Sequence, residues 1–318
     1  LSNIDLSKTD SVIEKETFYN CKYLKTANLL NVKEIGDYAF ADCQTLNYIN
    51  IPIVETIGEG AFGRYSTYGG APTISTIQLP ETLVSIGNGA FLGCEGLLEI
   101  TLPKSLSEIG NYMFAYCKKL ETVVLPKEIN SIGDYSFAGC ELLTDINLEN
   151  VYEIKKYAFA SCTSLENIDL SNVDKIGEAA FASAPIKGEI VGNNITEIGA
   201  YAFQNAKFTT FDALNVTSLG EGAFSNCVNL VKFVFSNNIK FVDQFVFNGC
   251  TNLNSFYYMN DDNKAVTGRI NDYALLDHGI LYVTLPTNKY ELKAIPGNLR
   301  VSTIQVLDNT ARIDTYAG

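Results

Sequence analysis

The sequence predicts a right-handed solenoid, with a parallel β-sheet along one side and short turns or 3₁₀ segments along the other. A nine-residue string, IGDYAFADC from Ile35 to Cys43, recurs along the chain, for example as IGNGAFLGC from Ile86. An alternating segment such as LNYINIP, from Leu46 to Pro52, follows many of the copies. A unit of about 22 residues cannot bury its apolar side alone, so neighbouring units must stack on each other.

The phenylalanine of the repeated string marks the period. The eleven copies place it at Phe18, Phe40, Phe62, Phe91, Phe114, Phe137, Phe159, Phe181, Phe203, Phe224 and Phe247. The successive spacings are 22, 22, 29, 23, 23, 22, 22, 22, 21 and 23 residues. This regularity assigns residues 1–258 to one array of about eleven repeats of 22–23 residues. Because the ends of a solenoid need atypical units to cover them, we expect residues 259–318 to form a C-terminal capping hairpin and a degenerate half-repeat.

Each part of the repeat predicts a local structure. The alternation after the leucine predicts a short strand with one buried face. A glycine follows the second aliphatic pair in eight of eleven copies, beginning with Gly36, and indicates a tight bend. The stretch x-x-Ala-Phe-x-x-Cys is too short for a regular helix, so we expect one helical or 3₁₀ turn that directs the alanine and the phenylalanine inward.

The repeated L-x-x-I-x-L-P and I-G-x-x-A-F-x-x-C segments resemble those of the leucine-rich repeat family, and most closely its BspA-like bacterial subclass. The resemblance covers residues from about 10 to 258. It implies a leucine-rich-repeat solenoid in an extracellular or surface-attached bacterial protein, in a family that includes adhesins for host proteins. The chain begins with Leu1 rather than Met, so we expect a mature or trimmed form whose missing signal peptide says nothing about compartment.

The composition excludes several classes of function. The 318 residues include 36 acidic and 23 basic side chains, which gives a formal net charge of −13. This acidity argues against nucleic acid and anionic membrane surfaces, because both are bound through lysine and arginine. No apolar run approaches the roughly 18–20 residues of a membrane-spanning helix, so we expect no transmembrane segment. A repeat array offers no unique convergent pocket of titratable groups, so neither catalysis nor a cofactor is expected.

The eight cysteines follow the repeat. They are Cys21, Cys43, Cys94, Cys117, Cys140, Cys162, Cys227 and Cys250, each three residues after a repeat phenylalanine. Metal ligands must converge from different directions, whereas these side chains point the same way in a ladder. Parallel Cβ vectors are unsuited to disulfides as well. The pattern predicts inert free thiols in the core, with an occasional bridge as the alternative.

Three isolated motifs have ordinary explanations. Gly58, Gly60 and Gly63 form a G-x-G-x-x-G string, but the first glycine is the repeat's own and no strand–helix context is expected. The acidic run 261–263 lacks most of a calcium loop and is typical of a turn. His278 is the one histidine, and we expect it on the surface or in the cap rather than beside a nucleophile.

The outward positions of the predicted strands carry the first candidate binding surface. Its residues are acidic or amide side chains: Glu99, Asp145, Asn147, Asn167, Asp169, Glu189 and Asp212. Such a surface would attract a basic partner or a divalent cation with oxygen ligands. The alternative is a solvated face that keeps an acidic solenoid soluble.

An insertion provides the second candidate surface. About seven extra residues enter between Phe62 and Phe91, through the segment 64–72. Insertions in solenoids map to loops on one face, which is sometimes the binding face. The loop side chains most suited to contact a partner are Arg64, Tyr65 and Tyr68.

The composition favours a binding surface over a catalyst, and the resemblance implies an extracellular protein-binding or adhesion module whose ligand is a host or matrix protein. The alternative is a structural spacer or scaffold that presents another domain from the cell envelope. We expect a monomer.

Overall fold

The computed structural model of the protein describes residues 1–8, 11–67, 69–235, 241–243, 245–253, 255–259, 269–270, 280–284 and 303–306. Throughout these residues, every regular element is a β-strand and no helix is present. The chain divides into two compact units, Leu1–Ile168 and Asp169–Gly318. In each unit, short parallel strands stack coil upon coil, which confirms the predicted solenoid.

The N-terminal unit has two rows of strands. Its strands are β1 (Asn3–Asp5), β2 (Ser11–Ile13), β3 (Thr26–Asn28), β4 (Val32–Ile35), β5 (Tyr48–Asn50), β6 (Thr56–Ile57), β7 (Ser85–Ile86), β8 (Glu99–Thr101), β9 (Glu108–Ile109), β10 (Thr122–Val124), β11 (Ser131–Ile132) and β12 (Glu153–Ile154). The primary sheet pairs β1 with β3 and β5, and farther along β8 with β10. A second sheet pairs β2-β4-β6-β7 and then β9-β11-β12.

The C-terminal unit repeats this arrangement. Its strands are β13 (Lys175–Ile176), β14 (Glu189–Val191), β15 (Glu197–Ile198), β16 (Thr210–Asp212), β17 (Ser218–Leu219), β18 (Lys232–Phe235), β19 (Phe241–Val242), β20 (Ser255–Met259), β21 (Arg269–Ile270), β22 (Ile280–Thr284) and β23 (Thr303–Val306). The primary sheet runs β14-β16-β18-β20-β22-β23, and the second sheet runs β13-β15-β17-β19-β21.

The second sheet is a structural feature that the repeat pattern did not predict. The sequence placed a sheet on one side of the solenoid, whereas the aliphatic residue at the position before the repeat glycine also pairs with its equivalent in the neighbouring coil in most copies. Ile132, for example, is in register with Ile109 on one side and Ile154 on the other. Two-residue strands are too short to produce an alternating sequence pattern, so periodicity could not show them.

Stacked phenylalanine rings form the centre of the core. From Phe18 to Phe159, neighbouring ring centroids are 5.1–5.6 Å apart. From Phe181 to Phe247, the same distances are 5.4–5.7 Å. Apart from the half-buried Phe18, these rings are buried. Since each ring covers the next, a single repeat has no closed core of its own.

The core repacks where the sequence pattern weakens. Ala206 stands at a position that other copies fill with cysteine, yet β16 is a regular strand. Phe208 and Phe211 fill the space: both are fully buried, and both contact the rings of Phe203 and Phe224. Total apolar volume is thus kept although the individual positions differ.

The stretch around each phenylalanine consists of turns, so the expected helical or 3₁₀ turn is wrong. The N–H groups alternate between two kinds of acceptor. Tyr19 donates within its coil to the carbonyl oxygen of Glu16 at 3.0 Å, and Phe18 donates to Ala39 of the next coil at 2.8 Å. Glu16 and Asn20 both have φ of 58°. A 3₁₀ helix needs successive right-handed residues, and these two left-handed residues interrupt any such run.

The repeat glycine is needed for close approach between coils rather than for the bend that the sequence suggested. Gly36 is not in the left-handed region, but a Cβ there would lie 2.7 Å from the backbone nitrogen of Lys15 in the preceding coil. The left-handed residues lie instead two positions before each phenylalanine and, in most copies, two positions after it. Tyrosine fills the position before the phenylalanine in five copies: Tyr38, Tyr112, Tyr135, Tyr157 and Tyr201.

At the C-terminal end, the described strands continue the parallel sheet. β22 pairs in parallel with β20 on one side and with β23 on the other. The other segment of the predicted capping hairpin, around residues 292–296, lies outside the described residues. The boundary of a cap at residue 259 therefore stays a prediction.

Candidate binding surfaces

The strand face is defined as the outward side of the primary sheet, together with the equivalent positions of the sixth and seventh coils, which contain no primary-sheet strand. Where strands are present, it has the register that the repeat predicted. In the N-terminal unit, Glu99 is paired with Thr122, and Thr122 forms a bridge with Asp145. Glu99 and Asp145 are exposed, as are Asn147 and Asn167. Glu99, Thr122 and Asp145 therefore lie side by side on successive coils, because residues paired in parallel are adjacent. Asn147 and Asn167 lie outside the strands, in the segments of the sixth and seventh coils where the repeat predicted them.

In the C-terminal unit, the strand face carries Glu189 of β14 and Asp212 of β16, and Asp169 lies at the equivalent position of a coil without a strand. Asp169 and Glu189 are exposed, whereas Asp212 is half-buried. The Nζ of Lys232 lies 3.6 Å from Oδ1 of Asp212, so this carboxylate is already partly neutralised. Asp212 is thus the least available of the predicted acidic residues.

Two of the predicted contact residues also shape the backbone. The Oδ1 of Asn147 accepts a hydrogen bond from the N–H of Glu149 at 2.9 Å, and the Oδ1 of Asp169 accepts one from the N–H of Ser171 at 2.9 Å. These are local turns of the kind that asparagine and aspartate favour. Their side chains therefore have a structural reason to be present in addition to any binding role.

Hydrogen-bonded polar side chains at the first coils were not singled out from the sequence. The Nδ2 of Asn50 donates to Oδ1 of Asn28 at 3.0 Å, and the Nδ2 of Asn28 donates to Oδ1 of Asp5 at 3.2 Å. Hydrogen bonds from Ser7 and Asn28 lower the pKa of Asp5. The repetition of Asn at Asn28 and Asn50 is the sequence signal that could have indicated this ladder.

The insertion is anchored by a buried carboxylate. Asp42 is fully buried, and its two oxygens accept the N–H groups of Tyr65 and Ser66, each at 3.0 Å. The carboxylate of Asp42 also leaves no room for a side chain at Gly69, whose Cβ would lie 2.1 Å from Oδ1. The beginning of the insertion is therefore fixed against the preceding coil. Tyr68, the third predicted loop residue, lies outside the described residues.

A pocket of about 200 Å³ opens beside this loop. Arg64 and Tyr65 contribute to its wall, and the other lining residues are Tyr38, Glu59, Gly60, Gly63, Asn88, Gly89, Leu92 and Tyr112. The sequence thus pointed to two of the residues in this pocket. It missed the rest because they come from four successive coils. Gly60 and Gly63, two members of the G-x-G-x-x-G string, lie in this wall, and turns and a bend follow them rather than the helix of a nucleotide fold.

Aromatic rings at the left-handed positions form the tyrosine column, defined as the residues two positions before each repeat phenylalanine. Tyr112 stacks on Tyr135 at 4.9 Å, and Tyr135 stacks on Tyr157 at 4.7 Å, in both cases with 5° between the ring planes. Near the loop, the hydroxyl of Tyr38 donates to Oε1 of Glu59. This hydrogen bond, followed by burial, raises the pKa of Tyr38 to about 12.

The cysteines are core residues and provide no candidate site. All eight are free thiols, and all except the half-buried Cys21 are buried. Seven Sγ atoms donate to the carbonyl oxygen of a repeat phenylalanine in an earlier coil at 3.0–3.2 Å. Burial raises the pKa of Cys43 and Cys162 to about 12. Raised pKa values leave little thiolate at neutral pH, so these thiols are poor nucleophiles.

Several sequence observations cannot be placed. His278 and the acidic run 261–263 lie outside the described residues. Within the part of the chain that the structure describes, no three histidine, cysteine or acidic side chains are grouped so that they could hold a metal ion. In the same residues, no helix has the length and apolar character that a membrane crossing requires.

Comparison with known proteins identifies the repeat. The family model described as "BspA type Leucine rich repeat region" matches in six copies, over residues 1–69, 64–187 and 174–295. No curated protein matches the sequence.

Solved structures share the fold. A leucine-rich repeat protein from Bacteroides ovatus is 25% identical, with a TM-score of 0.67 over 95% of this chain and 78% of that one. A leucine rich cell surface protein from Faecalibacterium prausnitzii is 21% identical, with a TM-score of 0.53 over 98% of this chain and 89% of that one. A leucine-rich repeat protein from Eubacterium ventriosum is 21% identical, with a TM-score of 0.54 over 89% of this chain and 78% of that one.

Proposed function

The chain belongs to the BspA-type leucine-rich repeat family, and from this premise we propose that it is a protein-binding module displayed at the surface of a bacterial cell. Leucine-rich repeat arrays serve in protein interaction or as scaffolds, and the family and fold are typically non-enzymatic. Stacked repeats provide extended surfaces for such contacts. The finer proposal, adhesion to a host or matrix protein, depends on which surface binds.

The strand face of each unit is the surface that best supports this proposal. Its exposed carboxylates are Asp145 in the N-terminal unit, and Asp169 and Glu189 in the C-terminal unit. Within the described residues, these three form no ion pair, in contrast to Asp212 with Lys232. Charges that are not paired internally remain available for a complementary partner, and they increase the rate of encounter as well as the selectivity. A basic patch on a host or matrix protein is the partner that this face fits.

Surface plasmon resonance against immobilised fibronectin, laminin and type I collagen tests the proposal. We expect saturable binding of the wild-type chain to at least one of them. Reversing the charge at the three positions, with Asp145→Lys, Asp169→Lys and Glu189→Lys, should weaken that binding at least tenfold. Raising the salt concentration should weaken it as well, because exposed charges are screened.

The matched control reverses three exposed acids outside the strand face, with Glu34→Lys, Glu81→Lys and Glu108→Lys. Both triple variants change the net charge by the same amount, so a general charge effect would weaken binding equally in the two. Equal binding by the strand-face variant and the wild type would exclude the strand face as the binding surface. Absence of binding to all three matrix proteins would count against adhesion and favour the scaffold role.

The location at the cell surface needs its own measurement. Support for it comes from the family and from the cell surface protein of Faecalibacterium prausnitzii named above. We expect protease treatment of intact source cells to remove the chain from the cell fraction while a cytoplasmic marker protein survives. Survival of the chain under the same treatment would contradict a surface location.

A further inference from the structure

The tyrosine column is interrupted in the N-terminal unit, next to the anchored loop. Between Tyr38 and Tyr112, the two intervening positions of the column are Gly60 and Gly89. Both glycines have the left-handed φ of the column, 57° and 62°, which is close to the 55–57° of Tyr38 and Tyr112. The backbone conformation of the column therefore continues through Gly60 and Gly89, and only the aromatic side chains are missing at these two positions.

The two glycines differ in what covers them. The ring of Tyr38 lies over Gly60, where a Cβ would be 2.5 Å from Cε1 of Tyr38. At Gly89, a Cβ would make only ordinary van der Waals contacts, with Cβ of Leu92 at 3.7 Å and Cβ of Tyr112 at 3.9 Å. One ring position of the column is thus open. We call the space beside Gly89, between Tyr38 and Tyr112, the ring slot; it lies in the pocket of about 200 Å³.

We propose that the ring slot binds an aromatic side chain, preferably tyrosine, of a partner polypeptide. The protein's own column shows the contact that such a ring would make. Tyr112 and Tyr135 stack with centroids 4.9 Å apart and nearly parallel planes, and a ligand ring would cover the other side of Tyr112 in the same way. Aromatic rings contribute large contact areas and favourable ring–ring geometry at interfaces.

Two charged side chains at the rim complement a phenol ring. Glu59 accepts the hydroxyl of Tyr38 in the same pocket, so a carboxylate acceptor for a phenol already stands there. On the other side, the stem of Arg64 lies near Gly93, where a Cβ would be 3.3 Å from Cβ of Arg64. Within the described residues, Arg64 forms no ion pair, which leaves its guanidinium able to lie over the face of a bound ring.

The walls of the slot are held in place before any ligand arrives. The ring of Tyr65 contacts that of Tyr38 with centroids 4.5 Å apart, and the backbone of Tyr65 is fixed by the buried carboxylate of Asp42. A site that needs no rearrangement loses less free energy on binding. The ring slot does not involve the strand face, so this inference goes beyond the proposed function and can fail without it.

The test uses saturation-transfer-difference NMR on the full chain with N-acetyl-tyrosinamide, N-acetyl-leucinamide and methyl β-glucoside as probes. We expect the tyrosine probe to bind weakly, in the millimolar range that a single side chain can reach, and the leucine probe to bind at least fivefold more weakly. Gly89→Tyr should place the protein's own ring in the slot and reduce binding of the tyrosine probe at least tenfold.

Gly89→Tyr should fold, because five tyrosines already occupy this backbone conformation and space is present at Gly89. An unchanged circular dichroism spectrum and melting temperature will verify that. The control is Gly188→Tyr, which adds a tyrosine at another left-handed glycine. A Cβ at Gly188 would have no neighbouring atom within 4 Å, and this variant should leave binding of the tyrosine probe unchanged. Tyr112→Leu, which removes the stacking face, should weaken binding in the same way as Gly89→Tyr.

Equal binding of the tyrosine probe by the wild type and Gly89→Tyr would overturn the proposal, as would equal binding of the tyrosine and leucine probes. Binding of methyl β-glucoside that Gly89→Tyr abolishes, without binding of the tyrosine probe, would assign the slot to a carbohydrate instead and would also overturn it.

Discussion

The thiol of Cys117 donates a hydrogen bond to the carbonyl oxygen of Phe91 in the preceding coil, with 3.2 Å between sulfur and oxygen. The same relationship recurs along the chain, so the cysteines connect coils through hydrogen bonds rather than through covalent bridges. A small buried side chain with a weak donor fits a position that faces a carbonyl oxygen across a tight coil spacing. The ladder therefore links the coils without the oxidising environment that disulfides require.

Thiol labelling with DTNB at pH 8 should distinguish one cysteine from the other seven. Cys21 is half-buried, and we expect it to react about a hundredfold faster than the buried thiols, whose exposure requires local unfolding. Cys21→Ala should remove the fast phase. In 6 M guanidinium chloride without reductant, eight thiols should titrate. A count below eight would mean that some of the thiols are bridged.

Stability should fall as the pH rises above about 9. Burial raises the pKa of Cys43 from 9.0 to about 12. The hydrogen bond between Tyr38 and Glu59 raises the pKa of Tyr38 from 10.0 to about 12. Both groups hold their proton more tightly in the folded chain. Their contribution is therefore complete below pH 9 and is lost as the pH approaches 12, at up to about 1.4 kcal/mol per pH unit for Cys43 and at less for Tyr38, because water screens its interaction with Glu59.

Urea unfolding between pH 7 and 11 measures this dependence. Cys43→Ala removes one of the titrating groups, so the free energy of unfolding should fall less steeply above pH 9 than in the wild type. Identical slopes for the two chains would show that Cys43 does not contribute.

Two repeat glycines should differ in their response to alanine. At Gly36, a Cβ would lie 2.7 Å from backbone nitrogen of Lys15, which cannot move without displacing the coil. At Gly110, the nearest atoms are the Oδ1 of Asn88 at 3.1 Å and the Cε of Met113 at 3.3 Å, both on side chains. We expect Gly36→Ala to lower the free energy of unfolding by about 2–3 kcal/mol and Gly110→Ala by less than about 1 kcal/mol.

Thermal and urea unfolding of the two alanine variants provide the comparison, and each serves as the control for the other. Equal destabilisation would indicate that the glycines are required for backbone conformation rather than for the approach of neighbouring coils.

Removing the carboxylate of Asp42 should release the inserted loop. In Asp42→Ala, the N–H groups of Tyr65 and Ser66 lose their acceptor, at a cost of about 1–3 kcal/mol. Local opening should then expose the peptide bond after Arg64, and trypsin should cleave there about tenfold faster than in the wild type.

Asp134→Ala is the matched control for this cleavage. It removes a carboxylate that accepts the N–H of Lys156 at 3.0 Å, a similar bond in a different coil. We expect general destabilisation without faster cleavage after Arg64. If both variants are cleaved there at the same rate, the effect comes from overall stability rather than from the loop anchor.

Much of the architecture was predictable because every coil repeats the same buried positions. The spacing of the phenylalanines gives the period of the coils, and equivalent residues of successive copies are in register in the structure, as with Glu99 and Thr122. The free, buried cysteines followed from the same regularity. Among the candidate contacts, Arg64 and Tyr65 were found from the break in the period, and both lie in the pocket wall.

The sequence by itself therefore determined the solenoid, its coils, its ladders and the position of its insertion, since these depend on which residues recur and at what spacing. The tertiary structure alone decided how closely the coils approach, where the backbone turns left-handed and what stands beside each glycine. Gly36 and Gly110 occupy the same position of the repeat, yet a Cβ at Gly36 would meet a backbone nitrogen at 2.7 Å, whereas the nearest atoms at Gly110 are on side chains. The physical reason is that these properties depend on contacts between coils, which join residues about one repeat apart in the chain.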